Sequence, residues 1–373
     1  MHLYLHVPFC QRRCSYCDFS IAVRKRIPAL EYVDAVLAEL RSADPGPAAR
    51  GEETLETIYF GGGTPSLLPS EAISALLNEF LGSVDPGAMA RGSREVTLEA
   101  NPEDVTPDNA RAWRASGINR VSLGAQSFDD SVLKWMHRSH DAARIGAAVD
   151  ALRGAGIENI SLDLIFGLPA ELDRDWARDL DLALALRPTH LSLYGLTVEP
   201  RTPLDRWISR GATQAPDDER YAEEYLAAHR RLTTEDYQFY EVSNASLPGC
   251  RSRHNSAYWS GKPYQGLGPA AHSFDGRTRR WNLRAWEAYR RAIAEGRSAV
   301  ESEETLTEEQ RELETVYLGL RTVEGLAVAA LRRPMPPFAA QGWIYAQDGR
   351  VKCTPEGWLR LDSIVNDYDS ATH

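Results

Sequence analysis

A chain of 373 residues that is 43% hydrophobic can bury a large core, either one large domain with a smaller one or two to three ordinary domains. Its formal net charge of -11 weighs against a nucleic-acid binder, which needs an excess of Lys and Arg against phosphates, and leaves room only for small basic patches. No apolar run approaches the roughly 20 residues that span a bilayer, and MHLYLHVPFC lacks the basic and long apolar regions of a secretory signal, so the expected location is the cytoplasm.

The first β-rich run, LYLHV (3–7), leads directly into HVPFCQRRCSYCDFS, which places three of the five cysteines within eight positions. Thiols stay reduced in the cytoplasm, so this crowding points to metal or redox chemistry and not to disulfides. Further strand-like runs follow at TIYF (57–60), EVTLEA (95–100), RVSLGAQ (120–126), ISLDLIF (160–166) and HLSLYGL (190–196). Between them, residues 32–40, 72–80, 109–113, 145–152 and 176–186 carry apolar side chains at helical spacing. Six β-then-α units predict an α/β fold with a parallel sheet, a partial (β/α)6 TIM-like barrel, because parallel crossovers need long connections. The strand tails GGGTP, EANP, GAQSFD and DLIFGLP would converge on one mouth, where such barrels carry their sites.

The rhythm breaks near residue 200. EPRTPLDRWISRG reads as an exposed loop, DDERYAEEYLAAHRRLTTED as a helix and YQFYEVSNAS as a further strand. The stretch 253–276, RHNSAYWSGKPYQGLGPAAHSFDG, shows little periodicity, and long irregular segments are more often functional than structural. ESEETLTEEQRELETVYLGLRT reads as helical, and YAQDGRVKCTPEGWLRLDSIV as a hairpin and helix. The expected division is a barrel over 1–240, a connecting segment over 241–298 and a small α+β C-terminal domain over 299–373.

Cys10, Cys14 and Cys17 have C-x3-C-x2-C spacing. Three thiolates can hold three irons of a [4Fe-4S] cube and leave the fourth iron open to another ligand. Spacing alone also allows a closed zinc site that recruits His6 or a distant residue, and three unrelated buried cysteines, although Arg12 and Arg13 fit the latter poorly. Gly61, Gly62 and Gly63 would let backbone approach a ligand and offer N–H groups, or merely punctuate a strand-to-helix turn.

With YFGGGTPSLL, LEANPE, GAQSFD and SLDLIFGLP behind the cysteine motif, the chain resembles the radical S-adenosylmethionine (SAM) superfamily over nearly its whole length. RHNSAYW and GLGPAAHS narrow the resemblance to its branch of coproporphyrinogen dehydrogenases and HemW heme chaperones. The resemblance implies a partial barrel of radical SAM type, with Cys10, Cys14 and Cys17 on the cluster and SAM on the open iron. It places Gly62, Gly63 and Thr64 at the SAM amino group, Glu99 at the ribose, and Gln126, Arg138 and Asp163 at further SAM-binding positions. Tyr4 and Tyr16 match residues beside the cluster and adenine; core packing is the plain alternative, for Tyr4 above all.

Two departures favour the chaperone over the dehydrogenase. Phe19 stands where the dehydrogenases carry another cysteine, and the chain starts almost on its first strand, where they have an extension over the substrate. An open mouth suits a macrocycle received and passed on better than a radical reaction that must exclude water. The expected function is therefore heme binding and transfer to an unidentified acceptor protein, with oxygen-independent oxidative decarboxylation of coproporphyrinogen III by a 5′-deoxyadenosyl radical as the other reading. His254, among Tyr258 and Trp259, is the first expected axial ligand, His272 the second and Cys250 the third, with Arg251, Arg253, Arg279 and Arg280 near for propionates. Loop histidines usually make structural hydrogen bonds and Arg runs usually face solvent. Cys353 reads as a packed small apolar residue. Cleavage of SAM, homodimerisation and peripheral membrane contact stay open at this point.

Overall fold

The computed structural model describes residues 1–42, 55–82, 94–332, 335 and 338–370. Its centre is six parallel strands that pair in chain order: β1 (His2–Val7), β2 (Thr57–Gly62), β3 (Glu95–Ala100), β4 (Arg120–Gln126), β5 (Asn159–Phe166) and β6 (His190–Gly195). The intervening helices are α1 (Ala29–Ser42), α2 (Ser70–Gly82), α3 (Pro107–Ser116), α4 (Asp130–Trp135), α5 (Ala142–Gly154) and α6 (Trp176–Ala185). Their starts are written in short polar side chains. Thr106 accepts from the amide of Asn109, Asp141 from Arg144 and Asp175 from Arg178, each satisfying a donor that the first turn leaves free.

The strands alternate in a way that positions the site. Along β1, Leu3, Leu5 and Val7 join the apolar core under the helices, while His2, Tyr4 and His6 take the other face. On β3 the split is Val96, Leu98 and Ala100 against Glu95, Thr97 and Glu99; on β4 it is Val121, Leu123 and Ala125 against Arg120, Ser122 and Gly124. Parallel strands packed on both faces usually read as continuous apolar runs. Here the inner face is polar and bonds to itself: Tyr59 donates to Glu99 (2.8 Å), Ser122 to Asp163 (3.0 Å), and Ser161 pairs with His190 (2.8 Å). Stability comes from the outer layer. Truncation of Trp113, 1% exposed on α3, would cost about 3–5 kcal/mol.

Beyond β6 the chain is more regular than its sequence suggests. The expected loop at 199–211 contains α7 (Pro203–Ser209), capped by Thr202, and is followed by α8 (Asp218–Thr233). YQFYEVSNAS forms not one strand but a hairpin, β7 (Gln238–Glu241) and β8 (Asn244–Ser246), which extends the sheet past β6. The expected irregular stretch opens with α9 (Arg253–Trp259), then β9 (Tyr264–Leu267), parallel to β1, and antiparallel β10 (His272–Phe274) and β11 (Thr278–Asn282). Elements of three to seven residues are too short to show a period. After α10 (Trp286–Ala294), β12 (Val300–Thr305) pairs with β11, so the sheet runs through the expected boundary at 298/299. Twelve strands result, ordered from β12 at one edge to β7 at the other, with no strand pairing between the two edges among the described residues. α11 (Glu308–Arg321), a three-stranded antiparallel sheet of 326–327, 344–347 and 350–353, and the helix Leu361–Ser370 complete the chain. No helix among the described residues is long and apolar enough to cross a membrane.

Candidate cluster and cofactor site

A cleft of ≈ 410 Å³ opens at the carboxyl ends of β2 to β6 and is lined by all three clustered thiols. The cysteine loop is fastened at both ends. At its base the amide of Ala22 donates to Pro8 (2.7 Å) and that of Arg24 to Cys10 (2.9 Å). At its tip the amide of Ser15 donates to the Met136 carbonyl (3.2 Å), and the Leu204 amide on α7 donates to the Ser15 carbonyl (2.9 Å). Cys10 Sγ lies 3.3 Å from Thr64 Oγ1, and Cys14 Sγ accepts from Arg138 Nη1 at 3.6 Å. The other guanidinium nitrogen donates to Asn101 Oδ1 (2.6 Å) and the Gly124 carbonyl (3.0 Å), which aims the cation at the loop.

Burial raises the thiol pKa of Cys10 and pushes that of Cys17 up to about 11, with the neighbouring thiols adding to it. Neutral thiols do not ligate, and the positive charge of a bound metal would deprotonate Cys10 and Cys17. The donor set suits a cube better than one ion. Among the described residues no three His, Cys, Asp or Glu side chains converge on an ion-sized point, as zinc at 2.3 Å from each sulfur demands. A cube takes each sulfur on a different iron, and Arg138 supplies a cation beside it.

The glycine turn has little room for any other residue. A Cβ on Gly62 (φ +111°) would meet the His6 ring at 2.7 Å, and one on Gly63 the Phe9 carbonyl at 2.8 Å. Their N–H groups are already engaged: Gly62 donates to Glu99 Oε2 (3.1 Å) and Gly63 to the Val7 carbonyl (2.8 Å). What the turn offers a ligand is thus close approach, and the expectation that it presents those two donors is corrected.

Thr64, Glu99, Gln126, Arg138, Asp163 and Tyr16 all line the same cleft. Burial, then the Asp163 charge, pushes the Glu99 carboxyl up to about 7, against the donors Tyr59 and Gly62. Burial also raises Asp163, opposed by the surrounding serine hydroxyls. Gln126 reaches the wall through a register shift after Leu123 and a left-handed backbone (φ 67°), a conformation that only a constrained non-glycine residue keeps. Tyr4 lies outside this cleft. Its hydroxyl meets His6 Nδ1 at 3.1 Å, and it lines two adjoining cavities.

His254 is placed elsewhere. It is 1% exposed on α9, its Nδ1 bonded to Thr57 Oγ1 (2.7 Å) and its Nε2 to the Tyr258 hydroxyl (2.9 Å). Glu95 anchors that helix through the amides of Arg253 and His254, and burial holds the imidazole pKa down at about 3. In this conformation neither ring nitrogen is free for iron. The arginines expected near propionates are ion-paired: Arg251 with Glu324, Arg253 with Glu56, Arg279 with Glu314 and Arg280 with Glu303. Cys250 is partly exposed, and Cys353 is buried with its thiol pushed up to about 12.

Sequence reasoning passed over Asn101, which orients Arg138, and Tyr194, 45% exposed on the cleft wall. It also passed over Arg120, 1% exposed in the lumen, with no hydrogen bond to its guanidinium among the described residues and with Glu95, Tyr59, Tyr240 and Asp163 around it. The period-two alternation of β4, which puts Arg120 on the face of Ser122 and Gly124, was the available signal.

A profile of the Radical SAM superfamily matches residues 4–183. "Heme chaperone HemW" of Mycobacterium tuberculosis is 36% identical over 97% of this chain and 93% of its own, and that of Bacillus subtilis 35% identical over 98% of each. The chain belongs to the HemW family of radical SAM proteins. For a HemW-family chain the superfamily implies a [4Fe-4S] cluster and SAM, which the thiol loop and cleft fit. The fold matches that of coproporphyrinogen III oxidase (HemN) from Escherichia coli, described as a radical SAM enzyme, with a TM-score of 0.82 over 99% of this chain and 90% of that one at 22% identity.

Proposed function

We propose that this protein is a cytoplasmic heme chaperone that binds heme and passes it to an acceptor protein. Cys10, Cys14 and Cys17 hold the [4Fe-4S] cluster, and Tyr16, Gly62, Gly63, Thr64, Glu99, Gln126, Arg138 and Asp163 surround SAM. The bound cluster supplies an open iron for the amino and carboxylate groups of SAM. Around it, Arg138 balances the charge of the sulfurs, Glu99 accepts from hydroxyls, and the glycine turn lets the ligand approach the backbone.

The observation that carries this reading is a shared wall. Gly62, Glu99, Asp18 and Phe19 line both the thiol cleft and a second cavity of ≈ 430 Å³, which His272, Trp281 and Arg284 complete. Aromatic, imidazole and guanidinium groups beside a cofactor site suit a planar, anionic, iron-bearing macrocycle. The names of the relatives support the same reading. Phe19, 59% exposed at that wall, is an apolar surface there in place of the dehydrogenases' further cysteine.

The test is a pair of hemin titrations, with and without the reconstituted cluster. Stoichiometric binding whose affinity changes with the cluster is expected, together with no conversion of coproporphyrinogen III under anaerobic, reducing conditions. Robust formation of protoporphyrinogen IX would overturn the chaperone reading in favour of the dehydrogenase.

A further inference from the structure

An axial ligand to heme needs a ring nitrogen without another partner and open space in front of it. Most described histidines fail that test. His6 is held between Tyr4 and the Ser20 carbonyl, His140 between Glu103 and the Ala125 carbonyl, and His190 between Ser161 and Tyr240. His254 is held between Thr57 and Tyr258, and His2, 3% exposed, leans on Thr57. His137 and His229 carry no ring hydrogen bond among the described residues, but His137 lines the thiol cleft against Trp207 and His229 is stacked on Phe239 at 4.3 Å.

His272 is different. It is exposed at the start of β10, and neither ring nitrogen carries a hydrogen bond among the described residues. Two cavities, of ≈ 430 and ≈ 390 Å³, share Tyr4, His6, Ala270 and His272, so this ring stands at their seam. Each has the size of a small-ligand pocket. Trp281 stacks on the imidazole (centroids 5.9 Å, 24°), and Tyr258, Trp259, Tyr264 and Phe274 wall the second cavity. Arg284 lines the first and pairs with no carboxylate among the described residues. Partial burial against the cavity walls, then Arg279 and Arg284, lowers the His272 pKa, which favours the neutral, ligating ring.

Resting on the heme-carrier reading, we propose that His272 is the axial ligand of a heme seated across this double cavity, with Arg284 on a propionate. The residues around it then acquire roles. His254 becomes a positioning residue, since its bond to the Tyr258 hydroxyl fixes one wall. Glu39 holds the loop that carries His272. It accepts from the Gly268 amide (2.8 Å), Asn282 and Tyr289 (2.6 Å), and Gly268 needs its left-handed backbone because a Cβ would meet the His6 carbonyl at 2.6 Å.

The experiment titrates hemin into cluster-loaded wild type, His272→Ala and His254→Ala and records the Soret region with and without added imidazole. His272→Ala should lose the histidine-ligated spectrum and recover it with imidazole, whereas His254→Ala should bind more weakly with the ligand signature intact. A His272→Ala spectrum equal to wild type, or imidazole rescue confined to His254→Ala, would overturn this assignment and leave the carrier reading standing. Failure of wild type to take up hemin would remove both. Arg284→Glu should weaken hemin binding roughly tenfold and leave hemin dimethyl ester unaffected; equal affinity of this variant and wild type for hemin would overturn the propionate contact.

Discussion

At the floor of the lumen, Thr57 bridges His2 and His254, His254 continues to Tyr258, and Glu95 takes two amides of α9. At the mouth, the same kinds of residue stand with spare valence: two of the three thiols are partly exposed, Arg138 Nε is unpartnered and Tyr194 is 45% exposed. A polar residue in this lumen does not by itself mark a site. Around Thr57 the floor spends most of its donors and acceptors on its own scaffold and leaves the Arg120 guanidinium to charge alone, while the mouth sets thiols, a cation and a hydroxyl against open space.

Cysteine replacement should separate the two regions most sharply. Cys14→Ser is expected to abolish iron and sulfide incorporation after anaerobic reconstitution while changing the urea midpoint of the cluster-free protein little, since the side chain is partly exposed. Retention of full iron content would detach the cluster from the mouth.

The floor should respond in stability and not in cofactor content. Arg120→Leu removes a buried cation and leaves Glu95 and Asp163 without their shared counter-charge, an expected loss of about 3–5 kcal/mol in denaturant unfolding. A cost below 1 kcal/mol would mean that the carboxylates there are protonated and that the floor is not held by charge. Thr57→Val is the smaller version. It strands His2 and His254 on one side each, and should cost about 1–3 kcal/mol with iron loading unchanged.

The same contrast explains what the sequence made legible. The six core strands and five of their helices stood out because β-rich and helically spaced runs alternate along the chain, while the six-residue α4 went unread; Cys10, Cys14 and Cys17 stood out because ligand spacing within one loop is local. Glu99 was singled out from its place at a strand end together with the family resemblance, and Asp163, in the middle of β5, from the resemblance alone. His254 was read without α9: once seven residues are known to be helical, Tyr258 at i+4 is its neighbour, a local partner that the sequence reading did not weigh. Arg284 and Asn101 could not be singled out. One matters because it lacks an acid partner among the described residues and the other because it receives Arg138 from 37 positions away, and both facts exist only after folding.

Glu99 supplies the finest comparison, since it lines the mouth but shares its strand face with Glu95 of the floor. Its carboxyl is raised from 4.5 to about 7, chiefly by burial. The folded chain therefore holds a proton that the unfolded chain has released. The stability this provides is complete below about 4.5 and is lost as pH rises through about 7. A ligand hydroxyl donates best to the ionised carboxylate, as Tyr59 and Gly62 already do. SAM affinity should then rise a few-fold as pH increases through about 7, in the direction opposite to the stability of the free protein. Glu99→Gln should flatten both profiles, while any titration of SAM itself persists in the variant and is subtracted by it. Calorimetric SAM binding at several pH values reads the first profile and denaturant midpoints the second. Parallel profiles in wild type and Glu99→Gln would place the titrating group elsewhere in the cleft, with Asp163, raised by the same burial, as the next carboxylate to replace.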